Sequence, residues 1–235
     1  MTDGIVLEKV EIGLGNKSFR FDCALPAGAV TAVTGPSGSG KSTFLNLIAG
    51  FETPDKGHIV IAGEDVTDRH PSERPVSLIF QENNLFAHLD LFTNIGLGIS
   101  PSLRLTADDR EAISGALGRV DLRGFEKRMP STLSGGERQR AAFARALVRR
   151  KPVLLLDEPF AALDPGLRLS MANLLLALHR ETGNTVLIVT HDPDEVGRLA
   201  DHAIFIDEGQ ILLQGPAKEF MTRRDIPAIA EFLSG

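Results

Sequence analysis

The chain has 235 residues, 43% hydrophobic and 24% charged, enough apolar mass for one substantial domain or one domain carrying a smaller lobe. No run approaches the roughly 18 uninterrupted apolar residues of a membrane-spanning helix, and Met1-Thr2-Asp3-Gly4 does not begin a secretory signal. A net charge of −6 argues against broad nucleic-acid binding, and one cysteine, Cys23, excludes an intrachain disulfide, as expected in a reducing cytosol.

Residues 5–33 predict short strands around turns. The alternation Phe19, Phe21, Cys23, Leu25 marks a half-buried strand and makes Cys23 a core thiol. The apolar run Val30 to Val33 then enters Gly35-Pro36-Ser37-Gly38-Ser39-Gly40-Lys41-Ser42, which matches G-x-x-x-x-G-K-[ST] in full. Glycines let a backbone turn tightly enough for its N–H groups to converge on phosphate oxygens. The helix that follows, from Ser42 and Thr43 to Ala49 and closed by Gly50, adds the positive end of its dipole. Lys41 is placed to reach the β- and γ-phosphates, and Ser42 to give its hydroxyl to Mg²⁺.

Beyond the loop, Ile59 to Ala62 reads as a strand before a Gly63-Glu64-Asp65 turn, and Val76 to Phe80 as another. Residues 90–150 are mostly helical in character. Thr106 with Asp109 predicts a capped helix start, the amphipathic stretch running to Arg119, and Ser134 with Glu137 repeats that spacing beside Gly135 and Gly136. The last third alternates: strand 153–156, helix 166–181, strand 186–190, a further helix, strand 203–207. That order implies a mostly parallel sheet with helices around it, an α/β fold.

Asp157 and Glu158 end the apolar strand Val153 to Leu156. Carboxylates there are costly unless a cation or hydrogen bonds compensate them. Asp157 suits the Mg²⁺ shell, and Glu158 suits a general base acting on the attacking water. His191 ends the strand Val186 to Thr190, again at a carboxyl edge where ligands bind in parallel sheets. The remaining histidines read as surface residues.

Leu133-Ser134-Gly135-Gly136-Glu137-Arg138-Gln139-Arg140 resembles the signature of the ABC ATPases, with Glu137 where that family usually has Gln. Gln81 resembles the Q-loop glutamine, Ala162-Leu163-Asp164 the D-loop, and Thr190-His191-Asp192 the H-loop. The resemblance implies a P-loop NTPase fold with a mostly parallel core sheet, an N-terminal antiparallel β subdomain and an inserted helical subdomain at about 86–149, the core being about 1–85 and 150–235. It implies ATP and Mg²⁺, with Gln81 and His191 assisting Glu158 and Gln81 joining Ser42 and Asp157 at the metal. It also implies a homodimer in which Ser134, Gly135, Gly136 and Asp164 of one copy close on the nucleotide held by Gly35 to Thr43 of the other. One family feature is missing: adenine usually stacks on an aromatic, but Ile12-Gly13-Leu14-Gly15 stands there, so Leu14 is the expected contact.

With 92 residues between Lys41 and Ser134, the chain has no room for the coiled coils of DNA-repair ABC ATPases, and one cassette excludes the two-cassette translation type. Residues 74–89, 94–98 and 100–105, with Leu233-Ser234-Gly235, look like the ATPase subunits of bacterial thiamine importers. That resemblance implies a peripheral subunit on the cytoplasmic face of the bacterial inner membrane. It would dock a permease along Gln81 to Leu89 and serve a periplasmic solute-binding protein indirectly. ATPases of polyamine or iron importers, a regulatory ABC ATPase, and a P-loop kinase are the alternatives.

Overall fold

Strand β1 (Asp3–Leu14) buries Ile5 and Leu7, then Val10 and Ile12, so the apolar alternation slips by one residue at Glu8-Lys9. That slip is a β-bulge. The register against β2 (Lys17–Pro26) shifts between Leu7 and Val10, and Lys9 takes φ 47°. Sequence pattern alone reads such a break as an end, which is why short strands were expected where a twelve-residue strand stands. The computed structural model describes residues 3–80, 84–161 and 163–234.

β2 alternates as expected, with Phe19, Phe21, Cys23 and Leu25 buried. Burial, with help from Asp22, pushes the Cys23 thiol up to about 12, so it stays protonated and inert in the fold. β4 (Lys56–Ile61) pairs with the other edge of β1, and β5 (Glu64–Asp65) with β4.

The parallel part is built from apolar runs. β3 (Val30–Thr34) lies between β8 (Thr185–Val189) and β9 (His202–Asp207), and β7 (Val153–Asp157) lies beyond β8, all parallel. Every residue of β3 and β8 is buried, as strands covered on both faces require. β10 (Gln210–Pro216) runs antiparallel to β9 and meets β2 at Arg20, joining the two kinds of sheet in the order β5-β4-β1-β2-β10-β9-β3-β8-β7. Helix α1 (Lys41–Ala49) leaves the glycine loop and ends at Gly50, left-handed at φ 87°. Near the C-terminus, Phe205, Phe220 and Phe232 form a ring cluster with centroids 6.0–6.2 Å apart, fastening α7 (Ala217–Phe220) and α8 (Pro227–Phe232) to β9. These elements belong to one compact unit, Met1–Val76, Pro152–Glu158 and His179–Gly235.

The second unit is Ser77–Lys151 with Pro159–Leu178. It holds α2 (Leu91–Gly96), α3 (Ala107–Arg119), α4 (Gly135–Val148) and most of α5 (Pro165–Thr182). Strand β6 (Val76–Ile79) begins at the boundary. Both predicted capping boxes are present: Thr106 with Asp109 opens α3, and Ser134 with Glu137 opens α4. Among the described residues no helix is long and apolar enough to cross a membrane.

Candidate active site

The glycine loop takes a left-handed backbone at three glycines, and at two of them neighbouring atoms leave no room for a side chain. Gly35, Gly38 and Gly40 have φ of 143°, 75° and 114°. A Cβ on Gly35 would stand 2.0 Å from the Ile206 carbonyl oxygen, and one on Gly40 would stand 2.8 Å from the Phe19 ring. The loop closes around its own lysine: Lys41 Nζ donates to the carbonyls of Gly35 at 2.9 Å and Pro36 at 2.8 Å. Burial lowers the Lys41 pKa, and the charges of Glu158 and Asp157 pull it back up. A buried ammonium whose hydrogen-bond partners among the described residues are carbonyl oxygens is poised to exchange them for phosphate oxygens. Pro36, Ser37 and Ser39 also wall a cleft of about 350 Å³, bounded opposite by Lys17 and Phe19 and closed by the turn at Glu208 and Gly209.

Asp157 ends β7, and Glu158 sits just beyond it at φ 43°, a strained conformation for a residue with a side chain. The Glu158 N–H donates to Val189 O at 3.0 Å, which ties the strained residue to β8. Its Oε2 lies 3.3 Å from His191 Nδ1, and the His191 side chain is 62% exposed. Burial first, then the Glu158 charge, raise the Asp157 pKa, while Lys41 lowers it. Asp157 is therefore a carboxylate short of positive charge. Among the described residues no group of three or more His, Cys, Asp or Glu forms a ready cation cage. Asp157 and the exposed hydroxyl-bearing Ser42 instead suit Mg²⁺, which keeps waters and shares phosphate oxygens. Lys41, Asp157, Glu158 and His191 thus fall in one unit.

Ser134, Gly135, Gly136 and Asp164 all belong to the second unit. Ser134 Oγ accepts the Glu137 N–H at 3.3 Å, and Glu137 Oε2 accepts the Ser134 N–H at 2.7 Å. These bonds to Ser134 lower the Glu137 pKa, so the departure from Gln is used as a helix cap. Among the described residues, no atom outside its own chain neighbours and helix backbone lies within 4 Å of where a Gly135 Cβ would be, leaving that helix end open. Gln139 Nε2 donates to Pro159 O, and Asp164 Oδ1 accepts the Leu167 N–H at 3.0 Å, capping α5. Gln81 and Ala162 lie outside the described residues. So do Glu82 and Asn83 of the expected docking stretch, whose remainder is Asn84 to Leu89.

Sequence reasoning missed what shapes that remainder. Asn94 is fully buried; its Oδ1 accepts the Phe86 N–H at 2.7 Å, and its Nδ2 donates to Phe86 O at 3.0 Å and Leu89 O at 2.8 Å. One amide thereby folds the loop and leaves Phe86 48% exposed at its surface. The only signal was an asparagine inside an apolar helix pattern. Leu14 is 37% exposed near the hairpin tip and pairs with Lys17.

The profile of the family described as ABC transporter matches residues 19–161. Thiamine import ATP-binding protein ThiQ of Rhizobium meliloti (strain 1021) is 57% identical over 229 residues, covering 97% of this chain and 96% of that protein. ThiQ of Photorhabdus laumondii is 48% identical over 209 residues, 89% of each. Among solved structures, the ADP conformation of MJ1267, an ATP-binding cassette of an ABC transporter, superposes at TM-score 0.87 with 26% identity over the whole of both chains. The dimeric post-hydrolysis state of the cassette MJ0796, bound to ADP and Pi, does so at 0.76 with 30% identity, covering 91% of this chain and 98% of that one.

Proposed function

This chain belongs to the ABC transporter family, and on that footing we propose that it is the ATP-hydrolysing subunit of a thiamine importer, working as a pair of copies that share two ATP sites. The observation that carries the chemistry is the Glu158–His191 contact at 3.3 Å, set in the same unit as the lysine-closed phosphate loop. Thiamine follows from relatives that bear that function and match nearly the full chain.

In this reading the amides of Gly35 to Gly40, with Lys41, Ser42 and Thr43, hold the triphosphate of ATP, and Leu14 packs on the base. Ser42, Asp157 and Gln81 hold Mg²⁺, which neutralises charge on the phosphates when bound. Glu158 takes a proton from the attacking water; His191 holds the γ-phosphate and the water's line of approach, and Gln81 assists. Ser134, Gly135, Gly136 and Asp164 reach the nucleotide of the second copy, since a helix end left open beside Gly135 supplies N–H groups to an anion. The MJ0796 cassette bound to ADP and Pi is a dimer.

Hydrolysis cuts the bond between the β- and γ-phosphates, the freed phosphate leaves with the charge that both copies shared, and the pair opens. A permease docked along Gln81 to Leu89, with exposed Phe86 as its apolar contact, is moved by that cycle. The subunit then sits peripherally on the cytoplasmic face of the bacterial inner membrane, and a periplasmic solute-binding protein is served through the permease.

The shared site has a direct test. Lys41→Ala and Ser134→Arg should each be inactive alone, yet mixing them creates pairs with one intact site, the loop of one variant against the signature of the other. Hydrolysis should reappear on mixing. Mixtures as inactive as their components would refute shared sites.

A further inference from the structure

The His191 ring is mostly exposed, yet it must meet Glu158 and a γ-phosphate in a fixed line, so something must hold its backbone. Both flanking residues are held. Thr190 N–H donates to Val33 O at 3.1 Å, one residue before the end of the strand that feeds the phosphate loop. Thr190 Oγ1 donates to Glu195 Oε2 at 2.5 Å, and the same oxygen accepts the Asp192 N–H at 3.1 Å. A hydroxyl has one donor and two acceptor positions, so both bonds can form together. Asp192 Oδ1 in turn accepts the Asp194 N–H at 2.9 Å and caps α6 (Pro193–Leu199).

Thr190 and Glu195 are 3% and 7% exposed. An exposed carboxylate on the first turn of a helix needs no explanation, because the helix dipole favours it. A buried one does, since it gives up hydration for its partners. In this site its hydroxyl partner sits immediately before the histidine, and the bond is short, as charge-assisted O–H···O⁻ bonds are.

We propose that Glu195 is a positioning residue for hydrolysis: through the Thr190 hydroxyl it fixes the turn that presents His191 to Glu158. This rests on the role given to His191 above. Glu195 touches neither nucleotide nor water in this account, and acts only by limiting where the imidazole can go. A histidine free to swing leaves the water poorly aligned, and small misplacements of catalytic groups are expensive.

The test is a double-mutant cycle with ATP affinity measured beside turnover. Glu195→Ala should lower kcat by about 10-fold or more, up to the roughly 10²–10⁴-fold that general-base chemistry contributes, while ATP affinity stays within about twofold. Glu195→Gln, which keeps an acceptor oxygen for Thr190, should recover most of the rate. In a His191→Ala background Glu195→Ala should cost nothing further. Should Glu195→Ala fold poorly, Thr190→Val removes the same bond at nearly equal volume, and Thr190→Ser should restore it. An unchanged kcat in Glu195→Ala or Thr190→Val overturns the proposal, as does the same loss with and without His191, or a parallel loss of ATP affinity. A His191→Ala protein hydrolysing at the parent rate would instead overturn the histidine's own role, and this proposal with it.

Discussion

Leu167 occupies the space where a side chain on Gly136 would begin: a Cβ there would stand 2.5 Å from one Leu167 methyl and 2.8 Å from the other. One residue earlier, Gly135 meets no atom of the described residues within 4 Å of where its Cβ would stand, beyond its own helix and neighbours. Adjacent glycines of one motif thus differ: the second is glycine to admit α5, and the first, under the proposed function, keeps the helix end open to a phosphate. Gly135→Ala should leave the thermal midpoint unchanged or raised, because alanine is the better helix former by about 1 kcal/mol, and should still abolish most hydrolysis. Gly136→Ala should lower stability by about 1–3 kcal/mol through overpacking. Thermal unfolding and steady-state hydrolysis on both variants check this; equal destabilisation would show that Gly135 is also packed.

Arg74 is a second case of a residue whose task is set by its surroundings. It is 1% exposed, and its guanidinium donates to Leu47 O at 2.6 Å and Ile48 O at 3.0 Å at the end of α1, to Thr67 O at 3.0 Å and to Arg69 O at 3.1 Å. Burial lowers its pKa, yet arginine does not lose its proton under ordinary conditions. Arg74→Ala would leave four carbonyls without that donor and a void beside Gly50. A loss of about 3–5 kcal/mol is expected from urea titration, given the cost of buried groups left unsatisfied and of large-to-small changes. Arg74→Lys should not rescue, since an ammonium cannot reproduce the planar fork.

Asp157 gives a prediction with a sign. Its folded-state pKa is raised, by burial first and by Glu158 next, so the folded chain holds this proton to higher pH than the unfolded chain does. Stability contributed by the protonated form is therefore lost as pH rises from about 3.8 through the folded value. Without nucleotide, Asp157→Asn should melt above the parent at pH 8, with the gap closing as pH is lowered. Mg²⁺ with ATP should stabilise the parent more than the variant. A parent that melts higher at pH 8 without ligand would mean Asp157 is already compensated.

Much of this was legible because its physics is local. The glycine loop, the strand-end carboxylates and both capping boxes depend on spacing along the chain, and the buried parallel strands on apolar runs. What stayed hidden depends on partners distant in sequence. β10 was not predicted because its apolar run is only the short Ile211-Leu212-Leu213, none of which the fold buries. Nothing along the chain marks what Arg74, Asn94 and Glu195 do until the carbonyls or hydroxyl they serve are brought over them by the fold. The long first strand was hidden by its own bulge.

The base-binding end of the site separates two residues that sequence alone sets side by side. Phe19 is the nearest aromatic to the expected adenine contact, but it is buried, stacks on Phe21 with centroids 6.4 Å apart, and lies under Gly40 of the phosphate loop. Leu14 is exposed near the hairpin tip and free of such duty. Phe19→Ala should therefore cost about 3–5 kcal/mol of stability and weaken ATP and GTP alike, since it removes the floor of the loop that holds their common phosphates. Leu14→Ala should barely change stability, while Leu14→Tyr, which supplies a ring for stacking worth about 1–3 kcal/mol per base, should tighten ATP binding. Affinities of both nucleotides for the three variants decide the matter. If Phe19→Ala erased a preference for ATP while the fold stayed intact, the base would rest on Phe19, and Leu14 would be only the tip of a turn.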